Sequence, residues 1–427
     1  MAPRLILLIL DGAADRPVDG VTPLSEARTP GLDALAEHAV CGFHYPVAPG
    51  IAPESDLATL SLLGYEPEKY YTGRGPLEAL GIGLSIKAGY EVAFRANFAT
   101  IDPATRRIID RRVGRSLGSE EARSLAAALD GMELGENGYA LVRATVGHRA
   151  VVVIGSRESR LSAAVSNIDP AYVRKGLISE AVSSPEMILP RCKPLEDTEE
   201  ARRTCRLVDE FVDKSIEILE NHPVNAERAR RGLLKANAML LRDAGDRIPE
   251  MPPITSRFGF SSAASVAEMP VEIGIARAAG MRAYRVSPPS GDLARDLPER
   301  LEAAVKALEE GSQFLYVHLK GPDEPGHDGD FERKKNAIEL IDEYFVRPLI
   351  ERIDLDDVAV LVTSDHATPW SLRSHSGDPV PWMLSWRRLP GGPGEFNEIV
   401  CGKRGSKTLE HGWLLLPYVV DTIRRAQ

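Results

Sequence analysis

Cysteine is scarce, four residues in 427, and Cys41, Cys192, Cys205 and Cys401 form no Cys-x-x-Cys pair. That spacing suggests neither a zinc ribbon nor a disulfide framework, and the expectation is four free thiols in a reducing compartment. Long hydrophobic runs are missing too: the longest reach about eight residues, against the roughly twenty that span a bilayer. Met1-Ala2-Pro3-Arg4 leads into a short strand-like run with no signal-peptide pattern, so the chain is expected in the cytoplasm with no membrane partner. Positive charge is in deficit, 52 Lys and Arg against 62 Asp and Glu for a net charge of −10, which argues against nucleic acid as a partner. An anionic substrate would need a local basic pocket. No Gly-x-x-x-x-Gly-Lys-Ser/Thr loop occurs, and the glycines from Gly73 to Gly83 complete no dinucleotide fingerprint, so no nucleotide cofactor is expected. Internal repeats and low-complexity tracts are also absent.

What the chain does have is an ordinary globular composition, 43% apolar and 27% charged, at a length suited to two or three domains or to one core with an insertion. Three apolar, strand-like runs end in chemistry. Leu5–Leu10 runs into Asp11-Gly12, Phe314–Leu319 into Lys320 and Asp323 through His327, and Asp357–Val362 into Thr363-Ser364-Asp365-His366, with His375 nine residues on. Such runs read as strands buried on both faces of a parallel sheet. Ligands of open α/β sheets bind outside the carboxyl ends of the strands, so the three ends are expected to converge on one site.

Between these landmarks, Gly31–His38 and Leu57–Gly64 read as helices, the second closed by its glycine, with Ser55 at its N-terminus as either a cap or a nucleophile. From about residue 86 the pattern changes. Tyr90–Ala99 alternates like a half-exposed strand that turns at Asp102-Pro103, and Leu141–Ile154 reads as a hairpin turning near Gly147. Five arginines, Arg106, Arg107, Arg111, Arg112 and Arg115, fall within ten residues, either a solvated face or a clamp for phosphate or carboxylate. Residues 197–221 and 226–242 carry helical spacing, and the proline-rich Ile248–Pro253 reads as a linker. Ser265–Gly280 is then expected as a helix, Met281–Val286 as a strand and Leu297–Glu310 as a helix. The predicted organisation is an α/β core with a mostly parallel sheet formed by residues 1–85 and 258–427, interrupted by an α+β domain of residues 86–257.

Asp11, Ser55, Asp323, His327, Asp365, His366 and His375 together offer three imidazoles, three carboxylates and one hydroxyl. That suffices for two divalent ions, and mixed N/O donors suit Zn²⁺, Mn²⁺ or Co²⁺ better than Mg²⁺. His318, inside a predicted strand, reads as a hydrogen-bonded core residue.

With those residues placed, the sequence resembles the archaeal-type 2,3-bisphosphoglycerate-independent phosphoglycerate mutases of the alkaline phosphatase superfamily. The resemblance runs end to end, through Leu10-Asp11-Gly12, Ala52–Asp56, Tyr71–Pro76, Phe94–Ala99, Asp110–Arg112, Gly147–Arg149, Gly321–Asp323, His327–Gly329, Ser364–His366 and His375–Val380. It implies an alkaline-phosphatase-like core, one metal on Asp323, His327 and His375, and a second on Asp11, Ser55, Asp365 and His366. Ser55 would be the nucleophile that carries the phosphoryl group between 3- and 2-phosphoglycerate, with no 2,3-bisphosphoglycerate required. The insertion would close over the metals, with Arg95, Arg112, Arg115, His148 and Arg149 holding the glycerate and Arg74 or Lys320 near the phosphate. Glu54 and the segment Val165–Ala171 depart from the family pattern. A metal-dependent phosphomonoesterase or phosphotransferase acting on another small phosphometabolite is the alternative, since it would use the same phosphoserine. Oligomeric state is not legible.

Overall fold

Leu, Ile and Val crowd Arg4–Leu10, Phe314–Leu319 and Val358–Thr363. In the computed structural model, which describes residues 3–427, these become the three central strands of an eight-stranded sheet. Met1 and Ala2 lie outside the described residues. Both faces of the three strands are covered, which is why they read as unbroken apolar runs rather than alternating ones. They run parallel and in step: Ile9 stands beside His318 on one side and Thr363 on the other. Asp11, Lys320 and Ser364 therefore leave the sheet along one edge. Ala263–Val266 and Arg282–Tyr284 extend the sheet in parallel on one flank. On the other flank Val380–Ser385 and then Ala39–His44 pair antiparallel, and Lys407–Leu409 closes the sheet parallel to Ala39–His44. Helix Leu293–Glu309, capped by Asp292, lays Leu297, Leu301, Val305 and Leu308 onto one face among Leu315, Val317 and Val360. Each leucine buried in this way contributes about 2 kcal/mol.

A second, six-stranded antiparallel sheet is formed by Ala238–Gly245, Glu91–Ile101, Arg149–Ser156, Gly138–Ala144 and Met132–Leu134 in that order, with Ile108–Asp110 paired to Glu91–Ile101. Helix Glu199–Glu220, capped by Thr198, packs a stripe of Leu207, Val208, Phe211, Val212 and Leu219 against one face, together with Phe94, Phe98 and Val152. The opposite face carries Ala93, Val151 and Val153 under Ala79 of helix Arg74–Gly81.

The chain divides into two compact units, one formed by residues up to Tyr71 and from Glu250 onward, the other by Thr72–Pro249. The expected boundaries at 85/86 and 257/258 differ because packing assigns both margins. Gly75 lies so close to the Glu91–Ile101 strand that a Cβ there would meet Ala93 O at 2.2 Å. Arg257 donates to Gly64 O (2.6 Å), and Tyr65 donates to Pro252 O (2.7 Å), which ties residues 250–258 to the first unit.

Several local expectations need correction. Glu91–Ile101 is buried on both faces, not half exposed, because helices lie over each side of its sheet. Helical spacing after Ala226 gives way: the helix is Pro223–Arg230, and Ala238–Gly245 is a strand, its Ala-Met-Leu-Leu run being too short and too buried to choose by periodicity. Ser265 lies in strand Ala263–Val266, and the helix begins only at Pro270, where proline suits the first turn. Cys192 and Cys205 form a disulfide with Cα atoms 5.0 Å apart, because the segment before helix Glu199–Glu220 folds back on it; Cys41 and Cys401 are free and buried. No helix among the described residues is long and apolar enough to cross a membrane.

Candidate functional site

The edge at which the three central strands end gathers two sets of ligand atoms: Asp11, Asp365 and His366, all buried, and Asp323, His327 and His375, partly accessible, each set spanning no more than 4.8 Å. Gly12 turns the chain at φ +61°, and its N–H donates to Asp365 Oδ1 (3.0 Å). A Cβ there would strike Asp323 and Thr368 Oγ1 at 2.8 Å, so the turn needs glycine on two counts. Asp323 and His327 are four residues apart on helix Asp323–Asp328 and so share one face. His366 Nε2 lies 3.5 Å from Asp11 Oδ1 and 3.3 Å from Asp365 Oδ2. His327 Nε2 and His375 Nε2 lie 3.4 and 3.3 Å from Asp323 Oδ1.

Each imidazole is oriented through its other nitrogen. His327 Nδ1 faces Arg373 O (3.2 Å) and His375 Nδ1 faces Pro53 O (2.8 Å); a carbonyl only accepts, so each Nδ1 carries a proton and each Nε2 is the atom left to ligate. His366 Nδ1 meets Thr368 Oγ1 at 3.0 Å. Ser55 is the first residue of helix Ser55–Leu62, and its Oγ lies 3.2 Å from His366 Nε2. Glu54 takes the cap position, so Ser55 is not the N-cap.

The charges explain why this edge suits cations. Burial and the neighbouring Asp11 charge push the Asp365 carboxyl up to about 7, against the pull of His318 and Lys320. Burial also raises Asp11, but Lys320, His318 and His366 outweigh it and hold Asp11 well below the usual carboxylate range. Burial alone would lower His375, yet the Asp323 carboxylate 3.3 Å from its Nε2 raises it to about 9. Burial and the His375 ring lower His366 to about 3. Asp11 Oδ1, Asp365 Oδ2 and His375 Nε2 are buried with no hydrogen-bond partner. Divalent cations would satisfy all three, and the Asp/His donor set is chemically suited to them.

Lys320 belongs with these carboxylates, its Nζ 3.1 Å from Asp11 Oδ2 and 2.7 Å from Glu272 Oε1. His318 is buried as expected, with Nδ1 2.8 Å from the Tyr316 hydroxyl, but its Nε2 reaches to 3.6 Å from Asp365 Oδ2. Sequence reasoning missed Glu272 and Thr368, which hold Lys320 and His366. Neither lies in a strand-end motif, and Glu272 fell in a helix whose start was misplaced.

In the second unit, Arg95, Arg149 and Arg242 come from three neighbouring strands, with Arg242 directly opposite Arg95. Like charges opposed across a sheet are destabilising, and here Arg242 is buried and Arg95 half-buried. Burial, then the charges of Arg242 and Arg74, lower Arg95 to about 9. Burial, with Arg149, Arg112, Arg95 and Arg115 close by, lowers His148 to about 4, so it is neutral at pH 7. Arg74 donates to Glu78 Oε1 (2.8 Å). Arg95 Nε and Arg242 Nε have no hydrogen-bond partner, although Glu78 and Asp243 stand 3.6 and 3.5 Å away. Arg242 lies 3.8 Å over the Tyr172 ring. Sequence reasoning missed Arg242 because its strand read as a helix. Of the arginine run, Arg106 binds Asp213 and Arg111 binds Asp169, whereas Arg112 and Arg115 flank a turn in which Val113, Gly114 and Arg115 all take positive φ (54°, 60° and 54°). A left-handed β-branched residue is a true outlier, of the sort that marks functional segments.

A profile of the 2,3-bisphosphoglycerate-independent phosphoglycerate mutases matches residues 36–225. The chain is 51% identical over 424 residues to the enzyme of that name from Aeropyrum pernix, with 98% of this chain and 99% of that protein covered. It is 43% identical to 2,3-bisphosphoglycerate-independent phosphoglycerate mutase 1 of Archaeoglobus fulgidus, with 89% and 88% covered. Among solved structures, the cofactor-independent phosphoglycerate mutase of Thermoplasma acidophilum aligns with a TM-score of 0.61 at 28% identity, covering 99% of each chain. The chain belongs to the family of 2,3-bisphosphoglycerate-independent phosphoglycerate mutases.

Proposed function

We propose that this protein is an isomerase that interconverts 3-phosphoglycerate and 2-phosphoglycerate in glycolysis and gluconeogenesis, with Ser55 as the phosphoryl acceptor. The observation that carries the reading is the Ser55 Oγ at 3.2 Å from His366 Nε2, beside six clustered Asp and His ligands. Two divalent ions, of the Mn²⁺, Co²⁺ or Zn²⁺ type, would be held by Asp323, His327 and His375 and by Asp11, Ser55, Asp365 and His366. Bound there, such cations lower the pKa of a ligating hydroxyl and neutralise charge on phosphoryl oxygens.

The residues set the course of the reaction. Ser55 Oγ gives up its proton and attacks phosphorus, the bond from phosphorus to the C3 oxygen breaks, and that oxygen takes up a proton in exchange to leave glycerate. The glycerate then presents its 2-hydroxyl, whose oxygen attacks the phosphoserine, and Ser55 is released. Position at the first turn of a helix favours the phosphoryl adduct, because unpaired backbone N–H groups there stabilise anions. Lys320 adds a fixed positive charge beside Asp11. Arg74 or Lys320 serves the phosphate, and Arg95, Arg112, Arg115 and Arg149, with neutral His148 as a hydrogen-bonding group, supply donors for the carboxylate and hydroxyls of glycerate. Arg242 joins them.

Phosphorus NMR of protein loaded with Mn²⁺ and given 3-phosphoglycerate tests the proposal. The expected product is 2-phosphoglycerate with little free phosphate. Inorganic phosphate as the main product would replace this reading with a phosphomonoesterase.

A further inference from the structure

We infer that Thr368 is a positioning residue that links the two ligand sets, so that ordering one orders the other; this rests on the two-metal reading above. Its Oγ1 lies 2.8 Å from Asp323 Oδ1 and 3.0 Å from His366 Nδ1. A hydroxyl has one proton and a carboxylate only accepts, so that proton goes to Asp323. The remaining lone pair accepts from His366 Nδ1–H. Both directions are thereby fixed, and with them the His366 tautomer, whose Nε2 lone pair faces Asp11, Asp365 and Ser55. Asp323 belongs to one set and His366 to the other. The rings of His366 and His375 also stack across the sets at 3.7 Å, but a stack places no proton.

Thr368 cannot swing away from this bridge. Its Oγ1 fills the space that a Cβ on Gly12 would enter at 2.8 Å, and its Cγ2 the space that a Cβ on Gly326 would enter at 2.9 Å. Its N–H donates to Ala14 O (3.1 Å), and its carbonyl accepts from Lys334 Nζ (2.8 Å). The same buried ammonium binds Ala14 O (3.0 Å) and Asp15 Oδ2 (2.7 Å). The loops after two different strands are thus pinned around one hydroxyl. Remove it, and His366 Nδ1–H is buried without an acceptor, which favours the tautomer that carries the proton on Nε2 and cannot ligate. Asp323 loses a donor in the same step. Both sets should therefore weaken together, although Thr368 touches no metal.

The test is equilibrium dialysis of Mn²⁺ on the chelator-stripped full chain, with thermal unfolding of the stripped protein as a control. Wild-type protein is expected to take up two ions. Thr368→Val, which keeps the shape, should lose about 10- to 100-fold in affinity at both sites with the stripped protein still folded at the dialysis temperature, and Thr368→Ser should stay near wild type. Should the valine variant fail to fold, Thr368→Ala is read in the same way. Wild-type affinity in the valine variant overturns the inference, and so does weakening of one site alone. Equal losses in the valine and serine variants would also overturn it, by assigning the effect to the methyl group. In each of those cases the two-metal reading stands. Fewer than two ions on the wild-type chain would remove that reading and this inference together.

Discussion

Ser55 illustrates how much a single residue can mean only in context. As a serine before a helix it reads equally as a cap, and the structure denies it that role by giving the position to Glu54. Ser55→Ala is expected to abolish mutase and phosphatase activity together, because both pass through phosphoserine; turnover of either kind in that variant would dismiss Ser55 as the acceptor. A second residue carries a stability signal unrelated to the chemistry. His44 is fully buried, with Nε2 2.9 Å from Thr363 Oγ1, and burial lowers it to about 3. Unfolded, it would bind a proton near pH 6.5. The unfolded chain therefore holds the extra proton between those values, so stability is present above about pH 6.5 and is lost as pH falls toward 3. Urea titrations at pH 7 and pH 4.5 should show His44→Gln losing about 2 kcal/mol less than wild type over that interval. Equal losses would mean that His44 is protonated in the fold.

At the scale of elements, the sequence was most legible where pattern and chemistry coincided. An apolar run long enough for one strand and ending in Asp or His has few alternatives, and all three such ends meet at one edge. Legibility failed at short apolar runs such as Ala238–Leu241, where helix and strand differ only in what covers them, and Arg242 was lost with its strand. Cys192 and Cys205 were missed because a return of chain across a helix leaves no spacing signal. The turn holding Arg112 and Arg115 was invisible for another reason: nothing in Val113-Gly114-Arg115 announces left-handed backbone at three successive positions. Each non-glycine residue there costs about 1–2 kcal/mol. Arg115→Asn, at an exposed site that asparagine tolerates, should raise resistance to denaturant by about 0.5–1 kcal/mol while raising KM for phosphoglycerate. Arg112→Ala should raise KM and lower turnover with Mn²⁺ binding unchanged. Wild-type kinetics in both variants would return this turn to the solvated surface.

Across the whole molecule, chemistry divides along the same line as packing. All seven expected metal-site residues lie in the unit formed by the two ends of the chain, whereas Arg74, Arg95, Arg112, Arg115, His148, Arg149 and Arg242 lie in the unit Thr72–Pro249. Each unit has its own sheet and its own buried apolar cluster. The first should therefore survive without the second. Replacing Thr72–Pro249 by a short flexible linker between Tyr71 and Glu250 is expected to leave a folded protein that still binds two Mn²⁺ ions. Saturation at a hundred times Kd adds about 2.7 kcal/mol per site to its stability, so its unfolding midpoint should rise on adding Mn²⁺ and fall back on chelation. Without the guanidiniums it has nothing to retain glycerate between the two half-reactions. It should hydrolyse simple phosphomonoesters and lose mutase activity, and Ser55→Ala in the same background should stop the hydrolysis. Mutase activity persisting without the arginine-bearing unit would show that the metal-site unit alone positions the glycerate. A shortened protein that folds but binds no Mn²⁺ would show that the seven clustered residues do not make a self-sufficient metal centre.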